Sequence, residues 1–300
     1  MSLKQLEPII ELLRERAKNL PPTIEGMRAD FDAFTAIMPV PEGVECSPAD
    51  LDGLRGGWFS FLGAPNKTTV LYLHGGGYVI GSVDTHRALI ARLAKASGAR
   101  CCAINYRLAP EHPFPGAVED AVAAYRGLLG RGIDPKRVVI AGDSAGGGLV
   151  LAVLVALRDC GLPRPAAAVC FSPWTDLACS GESMRTKVAA DPVIQKAGAL
   201  LYARAYVGEG DLKHPLASPL YADVRGLPPI LIQVGERETL LDDATRMAGR
   251  LRAARVDVRI DIWDGMVHVW HFFAHQLDEG QQALDAAGAF IREKVRAASR

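Results

Sequence analysis

Neither sign of charge is in excess in these 300 residues: 34 Lys and Arg balance 34 Asp and Glu. A neutral chain lacks the cationic field that draws a protein to phosphate backbones or anionic membranes, so no nucleic-acid partner and no membrane partner is expected. Long apolar runs are missing as well, none approaching the roughly 18 residues of a membrane span. The stretch from Met1 to Leu20 is charged and amphipathic, without the apolar centre of a signal peptide. A cytoplasmic location is the expectation. Aromatic residues are sparse at 7%, and cysteines number only six. Cys46, Cys101, Cys102, Cys160, Cys170 and Cys179 follow neither disulfide nor zinc spacing. The three at positions 101, 102 and 170 lie in apolar runs and read as small buried hydrophobes. Phosphate-binding glycine loops are absent too. Gly75-Gly76-Gly77 has Ile80 where a dinucleotide fingerprint needs its last glycine, and no Gly-x4-Gly-Lys-Ser/Thr run occurs. No cofactor and no metal is expected.

What the chain has is apolar material, 49% of its residues, enough for one large α/β core. Short apolar runs at Gly57–Leu62, Thr69–His74, Arg100–Tyr106, Arg137–Ala141, Ala167–Ser172, Pro229–Val234 and Val256–Trp263 read as strands. Helical segments near Asp84–Ser97, Gly116–Arg131, Ala145–Cys160, Asp242–Ala254 and Gly280–Ala298 separate them. Such alternation predicts a mostly parallel sheet covered on both faces. The run Val44–Ser47 before Gly57–Leu62 predicts an antiparallel start. Two segments break the alternation: 1–41, helical, and 178–222, helical with several prolines. They read either as a two-part cap over the strand ends, where open α/β sheets bind ligands, or as plain surface excursions. The core would then be 42–177 and 223–300.

Gly142-Asp143-Ser144-Ala145-Gly146 follows the β-branched run Val138-Val139-Ile140 and leads into an apolar helix. Strand, Gly-x-Ser-x-Gly, helix is the context of a nucleophile elbow, in which a tight turn pushes the Ser hydroxyl out beside free helix N–H groups. A second glycine cluster, His74-Gly75-Gly76-Gly77, closes the strand before Asp84–Ser97. Attack by Ser144 on an ester carbonyl places charge on oxygen, and side-chain-free backbone donors approach such an oxyanion most closely. The N–H groups of Gly76, Gly77 and Ala145 are assigned that task, and His74 is read as tying the loop down.

A Ser hydroxyl needs a neighbouring base. His268, in the loop after the last strand, is the candidate, with His271 and His275 close by in sequence. In folds with this elbow the chain order is nucleophile, acid, base, which excludes His86 and His112. The acid should follow Pro229–Val234, where Glu236, Glu238, Asp242 and Asp243 crowd together. Asp242 and Asp243 suit a helix N-terminus. Glu238 is the choice and Asp242 the competitor.

Taken together, these residues resemble the hormone-sensitive-lipase-like (family IV) bacterial carboxylesterases, of the α/β-hydrolase fold. The likeness spans nearly the whole chain: His74-Gly75-Gly76-Gly77-Tyr78, the run Tyr106–Pro115, Gly142–Gly147, Ser172-Pro173-Trp174-Thr175-Asp176 and His214–Leu220. It implies an α/β-hydrolase sheet of about eight strands with a helical cap, Ser144 and His268 as nucleophile and base, and short acyl substrates. It also implies a homodimer through the last core strand. Two departures stand out. The family's acid is usually Asp in an Asp-Pro-Leu-x-Asp-like run, whereas this chain has Glu238-Thr239-Leu240-Leu241-Asp242; and Asn105 stands where many relatives have Asp. Read without the resemblance, Tyr106–Pro115 is a stiff proline-rich loop in which Arg107 can pair with Glu111.

The expected function is a serine carboxylesterase acting on a small-molecule ester through an acyl-enzyme. A deacetylase, lactonase or amidase on the same triad competes with it, because leaving-group choice lies in the pocket. A non-catalytic receptor on the same fold would lack the His, which is present here. Phe34, Met38, Leu200, Leu201 and Tyr202 are guesses for an acyl slot, with ordinary packing the equal alternative.

Overall fold

The computed structural model describes residues 3–65 and 67–300, so the first two residues of the expected 1–41 segment lie outside it. One sheet runs in the order β1-β2-β4-β3-β5-β6-β7-β8. Its strands are β1 (Val44–Leu51), β2 (Leu54–Phe61), β3 (Thr69–Leu73), β4 (Arg100–Ile104), β5 (Val138–Asp143), β6 (Ala167–Phe171), β7 (Ile230–Gly235) and β8 (Val258–Trp263). β2 is antiparallel to both of its neighbours, and every later pairing is parallel. The antiparallel start is longer than Val44–Ser47 suggests. Asp52 and Gly53, at φ 57° and 93°, form a two-residue turn that carries the hairpin from Leu51 straight back to Leu54. Pro48 is tolerated because β1 is an edge strand.

β3, β5, β6 and β7 are buried along their whole length. Their two-residue period divides side chains between two cores. Leu71, Leu73 and Ile140 join one with α4 (Gly116–Gly130), α5 (Ala145–Asp159) and α8 (Leu241–Ala253). Val70, Tyr72 and Val139 join the other with α3 (Arg87–Ser97) and α9 (Asp278–Ala298). Burial on both faces is why these strands read as continuous apolar runs.

A third cluster involves the N-terminal helices α1 (Leu3–Lys18) and α2 (Ile24–Ala36). Leu6, Ile9, Ile10 and Leu13 form one stripe of α1, at helical spacing, against Trp270, Phe273 and Leu277. From α2, Arg28 donates to the Val79 and Ala109 carbonyls and pairs with Glu111 through both guanidinium ends. This corrects the expected Arg107–Glu111 pair. Arg107 instead turns to Asp120 and Glu119 in the first turns of α4. The later irregular segment carries α6 (Ser183–Thr186) and α7 (Lys196–Val207). It meets the N-terminal helices where the Tyr202 hydroxyl lies 3.3 Å from Met27 Sδ. It meets the sheet loops through Lys187–Glu236 and through Asp191, whose carboxylate accepts the Thr239 N–H at 2.8 Å.

Trp270 is fully buried between α1 and the chain after β8. Trp270→Ala is expected to cost about 3–5 kcal/mol, read as a drop in denaturant midpoint. A cost below about 1 kcal/mol would mean that α1 is not docked as described.

Candidate active site

Ser144 lies between β5 and α5 with φ 53° and ψ −120°, a conformation that costs an L-residue about 1–3 kcal/mol. Surrounding hydrogen bonds hold it there. Its N–H donates to Phe171 O at 2.8 Å, and its carbonyl accepts from Gly148 at 3.0 Å and Trp174 at 2.9 Å. The turn also needs glycine at 146, where a Cβ would lie 2.0 Å from Leu73 O. Only a residue without a side chain lets α5 start this close to β3.

Three side chains from separate strand ends meet here. His268 Nε2 is 3.0 Å from Ser144 Oγ, and His268 Nδ1 is 2.9 Å from Glu238 Oε2. A carboxylate only accepts, so Nδ1 carries the proton and Nε2 faces the Ser144 hydroxyl with its lone pair. Glu238 is fully buried. Its other oxygen accepts from Ser172 Oγ at 2.7 Å and from the Gly235 N–H. Ser172 Oγ in turn accepts the Val269 N–H at 3.2 Å, joining the acid loop to the histidine loop. Burial opposes a charge on His268, but the hydrogen bond and charge of Glu238 outweigh it and hold the imidazole above its ordinary value. Such an arrangement can take a proton from the hydroxyl and return it.

The competing residues are occupied elsewhere. Asp242 accepts the Ser183 N–H at 2.9 Å and donates its own N–H to Ser183 Oγ. Glu236 pairs with Lys187. Asp243 accepts the Thr175 and Asp176 N–H groups, and burial together with the Asp176 charge pushes it up to about 8. His271 is buried with Nε2 against Gln233 Oε1 at 3.0 Å; burial lowers it to about 3. His74 stacks on Tyr106 with ring centroids 4.2 Å apart and donates from Nδ1 to Gly75 O, and burial again lowers it to about 3.

The glycine loop follows β3, the strand beside β5, and reaches the elbow at Gly75, where a Cβ would lie 2.3 Å from Asp143 Oδ2. Gly76 and Gly77 have φ of 110° and 63°, and neither N–H finds an acceptor among the described residues. The Ala145 N–H opens α5 beside Ser144, at the positive end of the helix. Tyr202 closes over the loop, its ring so near Gly77 that a Cβ there would lie 2.1 Å from Cδ2. The other pocket guesses separate from it. Met38 is buried among Leu6, Ile9 and Trp270, and Phe34 packs on Phe273 and the Arg16 guanidinium. Leu200 is half-buried against the main core, while Leu201 is 56% exposed. No single slot gathers all five, because residues 34 and 38 are spent on docking the N-terminal helices.

For Ser172 the sequence offers only its place in the Ser-Pro-Trp-Thr-Asp run, and for Asp191 it offers no local signal. Cys101, Cys102, Cys170 and Cys179 are buried free thiols, and burial pushes those of Cys102 and Cys179 up to about 12. Among the described residues no three His, Cys, Asp or Glu side chains gather as metal ligands, and no helix is long and apolar enough to cross a membrane.

Residues 70–272 match a family model of the α/β-hydrolase fold. An acetyl-hydrolase of Streptomyces hygroscopicus is 52% identical over 224 residues, 75% of either chain. An esterase of Acinetobacter venetianus is 34% identical over 270 residues, 89% of this chain and 87% of its own. A crystal structure of an esterase from the bacterial hormone-sensitive lipase family matches with a TM-score of 0.96 at 46% identity, covering 98% of this chain and 99% of that one. The sheet order, the elbow and these likenesses lead to one conclusion: the chain belongs to the bacterial hormone-sensitive-lipase family of α/β-hydrolase-fold esterases and is a carboxylic-ester hydrolase.

Proposed function

We propose that the chain hydrolyses short-chain acyl esters through an acyl-enzyme on Ser144, with His268 as base and Glu238 as the acid that orients it. The observation that carries this reading is the unbroken chain Ser144 Oγ, His268, Glu238, with contacts of 3.0 and 2.9 Å. Ser144 attacks the ester carbonyl while His268 Nε2 takes its proton. Gly76, Gly77 and Ala145 N–H groups receive the carbonyl oxygen as it becomes an oxyanion. His268 then gives the proton to the departing alcohol. Water, deprotonated by the same imidazole, attacks the acyl-enzyme, and the carboxylic acid leaves. The longer Glu side chain is accommodated because Ser172 and the Gly235 N–H fix its far oxygen.

Residues 1–41 and 178–222 act together as a cap over this site. The Tyr202–Met27 contact and the Arg28 bonds to Val79 and Ala109 support that division. Two features support a small acyl group: Tyr202 crowds Gly77, and a relative half identical to this chain is named an acetyl-hydrolase. The protein pairs as a homodimer through β8. That strand has a neighbour on one side only, and Ile262 on it is 51% exposed.

Initial rates on p-nitrophenyl esters from acetyl to palmitoyl should peak at acetyl or butyryl, with Ser144→Ala lowering kcat by at least about 10⁴-fold. A peak at long chains, or activity surviving in Ser144→Ala, would overturn the reading.

The acid assignment has its own test. Glu238→Gln should lower kcat by about 10²- to 10⁴-fold, while Asp242→Asn stays within about threefold of wild type. Neutral His268 is the working form and its pKa is raised, so kcat/KM should be full at high pH and fall as pH drops through a value above 6.5. Without the Glu238 carboxylate burial dominates, and that limb should move to lower pH. A more damaging Asp242→Asn, or an unmoved limb, would exclude Glu238.

For the dimer, Ile262→Lys should convert the species seen by light scattering to a monomer. A wild-type monomer, or an unaltered mutant dimer, would remove β8 as the interface.

A further inference from the structure

The site contains a second histidine–carboxylate pair that the hydrolysis scheme does not use. Asp143, immediately before Ser144, and His86, at the start of α3, are 1% and 0% exposed. Asp143 Oδ1 accepts the Tyr72 hydroxyl at 2.8 Å and the Gly75 N–H at 3.1 Å, and Oδ2 lies 3.3 Å from His86 Nε2. The Gly75 N–H is also 3.1 Å from His86 Nε2, so one amide is shared by two acceptors. Gly75 precedes the proposed oxyanion donors, and a Cβ on it would lie 2.3 Å from Asp143 Oδ2. One carboxylate therefore touches the elbow, strand β3 and the glycine loop together.

Proton positions follow from the partners. The Thr85 hydroxyl lies 2.8 Å from both the Ser82 carbonyl and His86 Nδ1, and its one proton can go to either. With the hydroxyl turned to Nδ1 a neutral imidazole carries its proton on Nε2, facing Asp143 Oδ2; with it turned to Ser82, Nδ1 donates to that carbonyl at 3.1 Å. Either way, a proton between Nε2 and Oδ2 leaves the Gly75 N–H to Oδ1 alone. Without that proton Nε2 captures the Gly75 N–H and opposes the buried carboxylate with its own lone pair, an uncompensated arrangement.

We propose that His86 and Asp143 are positioning residues that share one proton and thereby aim the Gly76 and Gly77 N–H groups at the oxyanion. This rests on the oxyanion assignment made above. Burial by itself would raise the Asp143 carboxyl; the charge and hydrogen bond of His86 and the bond from Tyr72 outweigh it and hold it below its ordinary value. The other groups facing His86 are His74 and Tyr72 from β3 and its loop, Phe31 from α2 and Phe272 from the turn after His268. None of these aromatic neighbours carries a negative charge at neutral pH, so Asp143 is the carboxylate that answers His86.

The test compares His86→Gln, whose amide reaches the position of Nε2, with His86→Asn, whose amide stops short of it. The Asn variant should lose about 10- to 100-fold in kcat with KM within about threefold, and bind an alkyl trifluoromethyl ketone more weakly by the same factor. The Gln variant should recover most of both. Tyr72→Phe, which deletes one bond to Asp143 and almost no volume, supplies a milder change if neither variant folds, with kcat down about 3- to 10-fold at constant KM. Folded Asn and Gln variants that behave alike, or ketone affinity that stays constant while kcat falls, would overturn the proposal, as would wild-type kcat in Tyr72→Phe. Wild-type activity that survives Ser144→Ala would instead overturn the hydrolysis reading, so the two failures are distinguishable.

Discussion

Holding a serine at φ 53° on the end of a buried strand is the constraint from which the rest of this site is arranged. The strained turn persists only where its surroundings over-determine it. Phe171 O holds the Ser144 N–H, two amides hold the Ser144 carbonyl, and the backbone of β3 approaches so closely that position 146 can have no side chain. The same closeness that forces the turn brings the β3 loop alongside the hydroxyl. Nucleophile and glycine loop are neighbours because β3 and β5 are neighbours in the sheet.

Buried charge is the second organising problem. Four of the buried carboxylates near the strand ends, Glu238, Asp143, Asp243 and Asp176, are each handled differently. Glu238 meets a histidine on one oxygen and two neutral donors on the other. Asp143 meets a histidine, a phenol and an amide. Asp243 has two backbone N–H groups but also the charge of Asp176 nearby; burial and that charge push it up to about 8. Asp176 keeps the charge. Burial opposes this, but Ser180, Tyr221 and Arg246 together hold its carboxyl below the ordinary value. Beside a carboxylate that already holds the charge, a second buried carboxyl is pushed toward its neutral form despite its two amide donors.

How much of this was legible in the sequence depends on the range of the interaction. The elbow was readable because its requirement is local: a strand, two glycines and a helix start within ten residues. The parallel core was readable for a similar reason, since burial on both faces leaves unbroken apolar runs. The hairpin was under-read although Asp52-Gly53 carried its signal, because Pro48 and two glycines at 56 and 57 interrupt the flanking pattern. Glu238 was chosen over Asp242 by position in the loop, and the geometry that separates them, Ser183 on Asp242, comes from 59 residues away. The pairing of Arg28 with Glu111, 83 residues apart, and of Asp191 with Thr239 has no local signature, and sequence proximity points Glu111 to Arg107 instead.

Those distant contacts also couple the two irregular segments to the sheet. Asp191 holds Thr239, the residue after Glu238; Lys187 holds Glu236; Arg28 holds Val79, two residues beyond Gly77. Each fastens one of the two irregular segments to a loop that carries a site residue. Most of their lining contacts can vary without disturbing the sheet, since residues such as Leu201 lie at the surface. Arg28 and Asp191 cannot vary in that way, because removing either leaves the buried Val79 carbonyl or Thr239 N–H without that partner beside the site. The two irregular segments thus leave much of their surface unconstrained, while the arrangement of Ser144, His268 and Glu238 is fastened to them by the few polar contacts where the two layers meet.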